Sequence, residues 1–475
     1  MKKDRILCII SGCLIAAMLF CATACSRDST DKLIEETSAV LTTSIHGDAP
    51  YGTNLETGIS TDATIGQGKR VLRVSQCFDY YNLEDAIGKF KAIHPDVEIV
   101  LNKYDNDIES YMQGVITQLI SGEADDVMDA TGITDGIPFS SSLLADFYPL
   151  INNDQNFNRE DYFMNVFDGM AYNNRLVEFP VCFNYNVIGV NNSFSQELVD
   201  RFKRFASVSY RELFDLYHSL PDKGGMYMSR NIDAITAVNA NINTFVDYAN
   251  KTCNFNTEYF INFINDAKSA TAQRKIEEEE LNYLFGKYMS IANQEECAQQ
   301  YLFDDAFADD FLVFFPLSDK EIFTHYIPET NDEGKLILVP VKRLCISEAS
   351  QNKELAWEFI KFLSMPQANQ NIVIPSFPVH REVYKAYVAA NIEPAVEHWR
   401  TEGYNIDGET GEIIERVTDV LLKFNEMPME YQRYVVSIDD IFMEVLVPFY
   451  LDRITAEQAA LELQNRVSQH LIEMQ

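Results

Sequence analysis

Few residues in this 475-residue chain are arranged for chemistry, and the familiar catalytic patterns are missing. No GxSxG elbow exposes a serine nucleophile, no GxGxxG or phosphate loop offers a cradle of backbone N–H groups, and no HExxH pairs histidines for zinc. The seven histidines stand singly. Asp105, Asp107 and Glu109 alternate as in a calcium loop, but Ser110 stands where the sharp turn needs glycine and Ile116 where the bidentate glutamate should be. Among nine cysteines, Cys77, Cys182, Cys253, Cys297 and Cys345 have long, irregular spacings that suit neither a disulfide framework nor a zinc site. Contexts such as VLRVSQCF and FPVCF fit a cysteine acting as a small buried hydrophobe. What remains is hydrogen bonding and ring stacking. Phe78, Asp79, Tyr80 and Tyr81 directly follow an apolar strand, where tyrosine offers a ring face to C–H groups and a hydroxyl to a polar rim. The bland alternative is that they pack the strand-to-helix turn. No cofactor and no metal is expected.

The elements that would hold such residues are legible from Val71 onward. VLRVS reads as a buried strand, and Asn82 can cap a helix whose apolar positions are Leu83, Ala86, Ile87, Phe90 and Ile93. Val97 to Leu101 is a second strand. A helix from Asp107 carries Ile108, Tyr111, Met112, Val115, Ile116 and Leu119 on one face and stops at Gly122. Asp126, Val127 and Met128 open a third strand, so the layout is that of an open parallel α/β sheet. Residues 191–298 are mostly helical in pattern, with Glu277 to Glu280 as a solvated face. Strand-like runs return at Phe311 to Phe315 and Leu336 to Val341. Ala356, Phe359, Ile360 and Leu363 stripe a later helix in which Trp357 belongs to the core, whereas Trp399 reads as surface or interface. Thr455 and Gln458 form a capping box before a last helix through Ala459, Leu463, Val467 and Leu471.

Composition and the amino terminus bound the setting. Lys2, Lys3 and Arg5 precede the uncharged run Ile6 to Phe20, and the small residues Ala22, Thr23 and Ala24 come just before Cys25. This resembles a bacterial lipoprotein signal, apart from Ala22 where leucine is usual; a plain secretory peptide or a membrane-spanning anchor is the alternative. The resemblance implies cleavage after residue 24, a lipidated Cys25 and an extracellular protein held on the cell membrane by acyl chains. Residues 26–69, rich in Ser, Thr, Gly and Asp, read as a flexible linker. Loss of the signal takes away three bases and one acid, moving the formal charge from −34 to −36. So acidic a surface repels nucleic acid and anionic headgroups and argues against roles that grip phosphates, with solubility alone as the plainer explanation.

Seven segments, in order, resemble extracellular solute-binding protein family 1, the carbohydrate-type receptors of ABC importers. They are VLRVSQCFDYYNLEDAIGKFKAIHPDVEIV; SGEADDVMDATG followed by LLADFYPLI; RLVEFPVCFNYNVIGVNN; LVFFPLSDK; LILVPVKRLCISEASQNKELAWEFIKFL; SFPVHREVY; and PFYLDRITAEQAALELQNRVSQHL. The resemblance implies an α/β, two-lobed periplasmic-binding-protein-like fold of type II, each lobe an α/β sheet, joined by crossing hinge segments. The solute-binding domain would span 70–475, with one lobe at about 70–186 and 317–375 and the other at about 187–316 and 376–475. Ligand would lie between the lobes, outside the carboxyl ends of the strands.

On that resemblance, ligand contacts are expected from Phe78, Asp79, Tyr80 and Tyr81, from Thr131 and Asp135 after the third strand, and from Asn184 on the first crossing. Asn184 could donate to and accept from vicinal hydroxyls at once. In the second lobe Tyr227 and Arg230 within MYMSRN, then Phe303 and Asp304, are the candidates, and Phe377 would seal the cleft. The implied function is capture of a small polar solute, a sugar or oligosaccharide, and its delivery to ABC transporter permease subunits by a monomer. A secreted carbohydrate-active enzyme and a receptor feeding a sensor kinase are the rivals. The enzyme would need two carboxylates facing each other across a cleft, and no motif pairs them.

Overall fold

The computed structural model describes residues 69–77, 83–104, 107–133, 142–229, 234–271, 301–310, 312, 323–369, 376–401, 403–433 and 435–473. Cys25, the 26–69 linker apart from Lys69, Phe78, Asp79, Tyr80, Tyr81, Asn82, Asp135, Arg230, Cys297, Glu277 to Glu280 and the 311–315 run apart from Leu312 lie outside them.

The strands are β1 (Arg70–Gln76), β2 (Val97–Lys103), β3 (Val127–Asp129), β4 (Phe179–Asn184), β5 (Asn186–Asn191), β6 (Val208–Ser209), β7 (Val246–Asp247), β8 (Thr252–Cys253), β9 (Phe303–Phe307), β10 (Phe323–Thr330), β11 (Leu336–Ile346), β12 (Phe377–Pro378) and β13 (Met429–Tyr431). β7 and β8 pair alone, and the other eleven join one sheet with the path β2-β1-β3-β11-β10-β5-β9. β1 lies parallel to both β2 and β3, as the strand-helix-strand pattern demands. The sheet as a whole is mixed rather than parallel, because β11 returns antiparallel to β3 and β4.

Local signals set the helices between these strands. In Leu83–Ile93 the side chains of Leu83, Ala86 and Phe90 are buried at helical spacing, whereas Ile93, in the last turn, is 61% exposed. Asp107 caps Ile108–Ser121 by accepting from the Ser110 amide at 3.1 Å, and Gly122 ends it at φ 75°, a left-handed geometry that glycine adopts without strain. The acid that looked like a calcium ligand therefore serves a helix end. Asp126, after that helix, accepts from the Arg73 amide at 2.9 Å and the Ser350 hydroxyl at 2.5 Å, stapling β1 to the start of Lys353–Ser364. Trp357 is buried in that helix and donates its Nε1 to Asp154 at 2.9 Å. Trp399 packs half-buried on the first core.

Two large hydrophobic cores result, and the chain passes between them at adjacent residues of β5: Val187 belongs to the first and Ile188 to the second. The second core is mostly helical, built from described residues of 188–270 and 302–303, from Ile337 of β11 and from the helices Val436–Tyr450 and Ala456–Glu473. Thr455 and Gln458 do form the capping box of the last helix, with bonds of 2.8 and 3.3 Å. The cores do not divide near residue 376 as expected. β12 pairs with β4 and β13 with β11, so Phe377, Tyr384, Val388, Val417 and Leu421 fill the first core. After β11, which gives it Ile337, the second core takes up the chain again at Val435.

Candidate functional site

The first crossing is where β4 ends and β5 begins. β4 is buried on both faces, and only 3% of Asn184 is exposed. Its Nδ2 donates to Asp309 Oδ1 at 2.5 Å, while its Oδ1 accepts from the Tyr185 amide at 2.9 Å. Ser376, just before β12, donates its hydroxyl to Asp309 Oδ2 at 2.8 Å and lies 3.0 Å from the Phe183 carbonyl. Burial raises the Asp309 carboxyl above the usual range, while the bonds from Asn184 and Ser376 pull it back down. Asn184, expected to await a ligand, is thus already engaged with Asp309 and the backbone.

A second polar group lies at the carboxyl end of β3. Asp129 is fully buried and accepts from Lys342 Nζ at 2.6 Å, from the Thr131 hydroxyl at 2.7 Å and from the Thr131 amide at 3.1 Å. Lys342 comes from β11, the antiparallel neighbour that also pairs with β4. A buried carboxylate needs such a partner, because the attraction offsets the cost of removing both charges from water. Thr131 stays half-buried with its oxygen's lone pairs still able to accept. The same Asp129 and Lys342 charges act on Cys77, whose thiol burial and Asp129 push up to about 12. The Cys182 and Cys345 thiols are likewise pushed up, by burial above all. Thiols in this condition are inert as nucleophiles.

The third group is aromatic and belongs to the sheet of β5, β9 and β10. Tyr227 lies with Tyr301, Phe323 and Tyr326 in one cluster, the Tyr227 and Tyr301 rings 6.2 Å apart. Tyr326 donates its hydroxyl to Asp304 Oδ2 at 2.9 Å. Its ring lies over Gly189, where a Cβ would come within 2.6 Å of it. The structure therefore brings Tyr227 and Asp304 into one patch of rings and a carboxylate, a surface suited to a polar molecule with an apolar face. Phe303 is a correction. Next to Asp304 on β9, it points to the opposite face and is buried against Phe202, 5.5 Å away, in the second core. Phe377 is another: it is fully buried among Phe183, Tyr185 and Tyr384, so it fills the first core and seals no cleft.

Sequence reasoning missed Lys342, Asp309, Ser376, Tyr301 and Tyr326. Lys342 carried a signal, a cation beside Arg343 inside the otherwise apolar run LILVPVKRLCI; so did Gly189, since glycine inside a strand marks a close approach. Asp309 and Ser376 carried none.

Comparison with solved structures places this architecture. A periplasmic oligogalacturonide binding protein from Yersinia enterocolitica matches with a TM-score of 0.60 at 11% identity, over 85% of this chain and 100% of its own. The sugar-binding protein MalE from Xanthomonas citri matches at 0.56 with 13% identity, over 85% and 98%. A de novo designed cysteine esterase matches at 0.57 with 12% identity, over 86% and 100%. At such identities the likeness establishes the fold, that of two-lobed periplasmic binding proteins, and the esterase shows that this fold alone does not decide between binding and reaction. No protein-family model and no curated protein matches the sequence.

Proposed function

We propose that this chain is a solute-binding protein that captures a small polar solute, a sugar or oligosaccharide, between its two lobes and delivers it to the permease subunits of an ABC importer. The observation that carries the reading is the union of a binding-protein fold, shared with two proteins whose names declare sugar ligands, with tyrosines and carboxylates gathered on the β5–β9–β10 sheet. Tyrosine rings and fixed hydrogen-bonding groups are what a polyol needs, and closure follows when a ligand touches both lobes at once. The described cysteines do not favour the esterase alternative, because each thiol is pushed above its ordinary pKa, chiefly by burial. In this reading the protein is extracellular and held to the membrane through Cys25, and no helix of the described residues is long and apolar enough to cross a membrane.

A thermal-shift screen of the purified domain against neutral and acidic mono- and oligosaccharides tests the proposal. A cognate sugar at about 100 times its Kd stabilises the native state by roughly 2.7 kcal/mol, which appears as a rise of several degrees in Tm. A panel that leaves Tm unmoved, with amino acids or peptides raising it instead, overturns the sugar assignment.

A further inference from the structure

A short turn of the first lobe reaches across to the second. Tyr172 and Arg175 exchange backbone bonds of 2.8 and 2.9 Å, closing a two-residue hairpin whose central residues, Asn173 and Asn174, have φ of 50° and 61°. Positive φ at both positions is the type I′ geometry, which asparagine tolerates better than most residues. The turn is rooted in the first lobe. The helix Met164–Met170 leads into it, Leu176 follows it in the first core, and Arg175 Nη2 donates to the Leu144 carbonyl at 2.9 Å. Yet the half-buried Tyr172 packs against the second core.

The group that meets it lies where the chain passes from the first core at Tyr431 to the second at Val435. Second-lobe groups hold that passage from one side. Asn243 Nδ2 donates to the Tyr431 carbonyl at 3.0 Å, the Asn243 amide to Gln432 Oε1 at 3.2 Å and the Tyr248 hydroxyl to the Arg433 carbonyl at 3.0 Å. Side chains of the passage reach back to the first lobe. The Tyr431 hydroxyl accepts from Arg343 Nη1 at 2.6 Å, and Arg433 Nη2 donates to the Met170 carbonyl at 2.8 Å. Arg433 is only 6% exposed, and its guanidinium lies 4.6 Å from the centre of the Tyr172 ring. A desolvated guanidinium over a ring face is held by the ring's quadrupole as well as by packing.

We propose that Tyr172 and Arg433 form a clasp that restrains the movement of one lobe against the other. Tyr172 carries first-lobe chain onto the second core. Arg433, on a passage that second-lobe groups hold, grips the base of the turn that presents Tyr172. Swinging the lobes apart at this junction separates the guanidinium from the ring and breaks its bond to Met170, whereas neither core has to open. The clasp depends on the two cores and their contacts, not on the identity of the solute, so it is tested on the protein without one.

The test compares wild type with Arg433→Met and Tyr172→Leu by small-angle X-ray scattering of the solute-free protein, with amide hydrogen exchange following both cores. Each variant is expected to show a larger radius of gyration while β1, β5 and the helix Ala456–Glu473 keep their protection. Tyr172→Phe, which retains the ring face, is expected to match wild type. An unchanged radius in Arg433→Met and Tyr172→Leu overturns the proposal. So does faster exchange throughout both cores, which would make the contact ordinary support of the fold. Asn174→Val supplies a second route that leaves both clasp residues in place: Asn174 is exposed, and a β-branched residue at its left-handed φ forces the turn open. The same enlargement is expected there, and a wild-type radius in that variant counts equally against the clasp.

Discussion

The Asn184 amide can donate and accept at once, and the protein uses both capacities internally. Replacing it with Ala removes the 2.5 Å bond to Asp309 and leaves the Tyr185 amide without its acceptor. Denaturant melts of Asn184→Ala are expected to show a loss of roughly 1–3 kcal/mol, the cost of unsatisfied groups in a buried setting. A variant as stable as wild type would mean that the crossing reorganises around the gap. The residue was legible in the sequence because it lies in a strand whose register is plain; its partner Asp309, 125 positions away, was not. Nothing local marks two side chains that meet only through sheet topology. The same holds for Ser376 and for the pairing of Asp129 with Lys342, 213 positions apart. Phe303 and Phe377 show the converse: aromatic residues near a cleft are as useful to a core, and burial decides which.

At the level of strands and helices the sequence was far more explicit. Caps and periodicity located Ile108–Ser121, Lys353–Ser364 and the final helix, because those signals act within a few residues. Strand direction was the weaker inference: β1, β2 and β3 followed the parallel pattern, but the reversal of β11 depends on where a distant segment docks. β5 offers a sharp test of how closely its neighbours fit. In Gly189→Ala the new methyl must displace the Tyr326 ring, which a Cβ would approach to 2.6 Å. The expected cost is about 1–3 kcal/mol of stability, read from the denaturant midpoint, as for other overpacked sites. Tyr326→Leu in the same background should restore much of it, and failure to do so would place the strain elsewhere.

For the whole molecule, anchoring and lobe assembly are separate matters. If Cys25 carries the acyl chains, Cys25→Ser moves the protein from the membrane pellet to the soluble fraction, since the described helices supply no span. Retention in the pellet would refute lipid attachment there. The division of the cores was legible only in part. The second crossing segment and the cleft run after β1 lie outside the described residues, and the return of 377–431 to the first core is dictated by the β4 and β11 edges rather than by its own pattern.

That return has a consequence for how the chain comes to be folded at all. The first core joins Leu72 to Tyr431, and the second draws on Val435 to Leu471. During synthesis from the amino terminus, the first core cannot close until residue 431 has emerged, nor the second until residue 471 has. Contacts as distant as Asn165 with the Met427 carbonyl, 262 positions on, must wait for the loop between them to be made. Such separations make for slow, late folding. A nascent chain of this kind has no early folded unit to block passage through a narrow channel, and every truncation short of the final helices forfeits part of the structure.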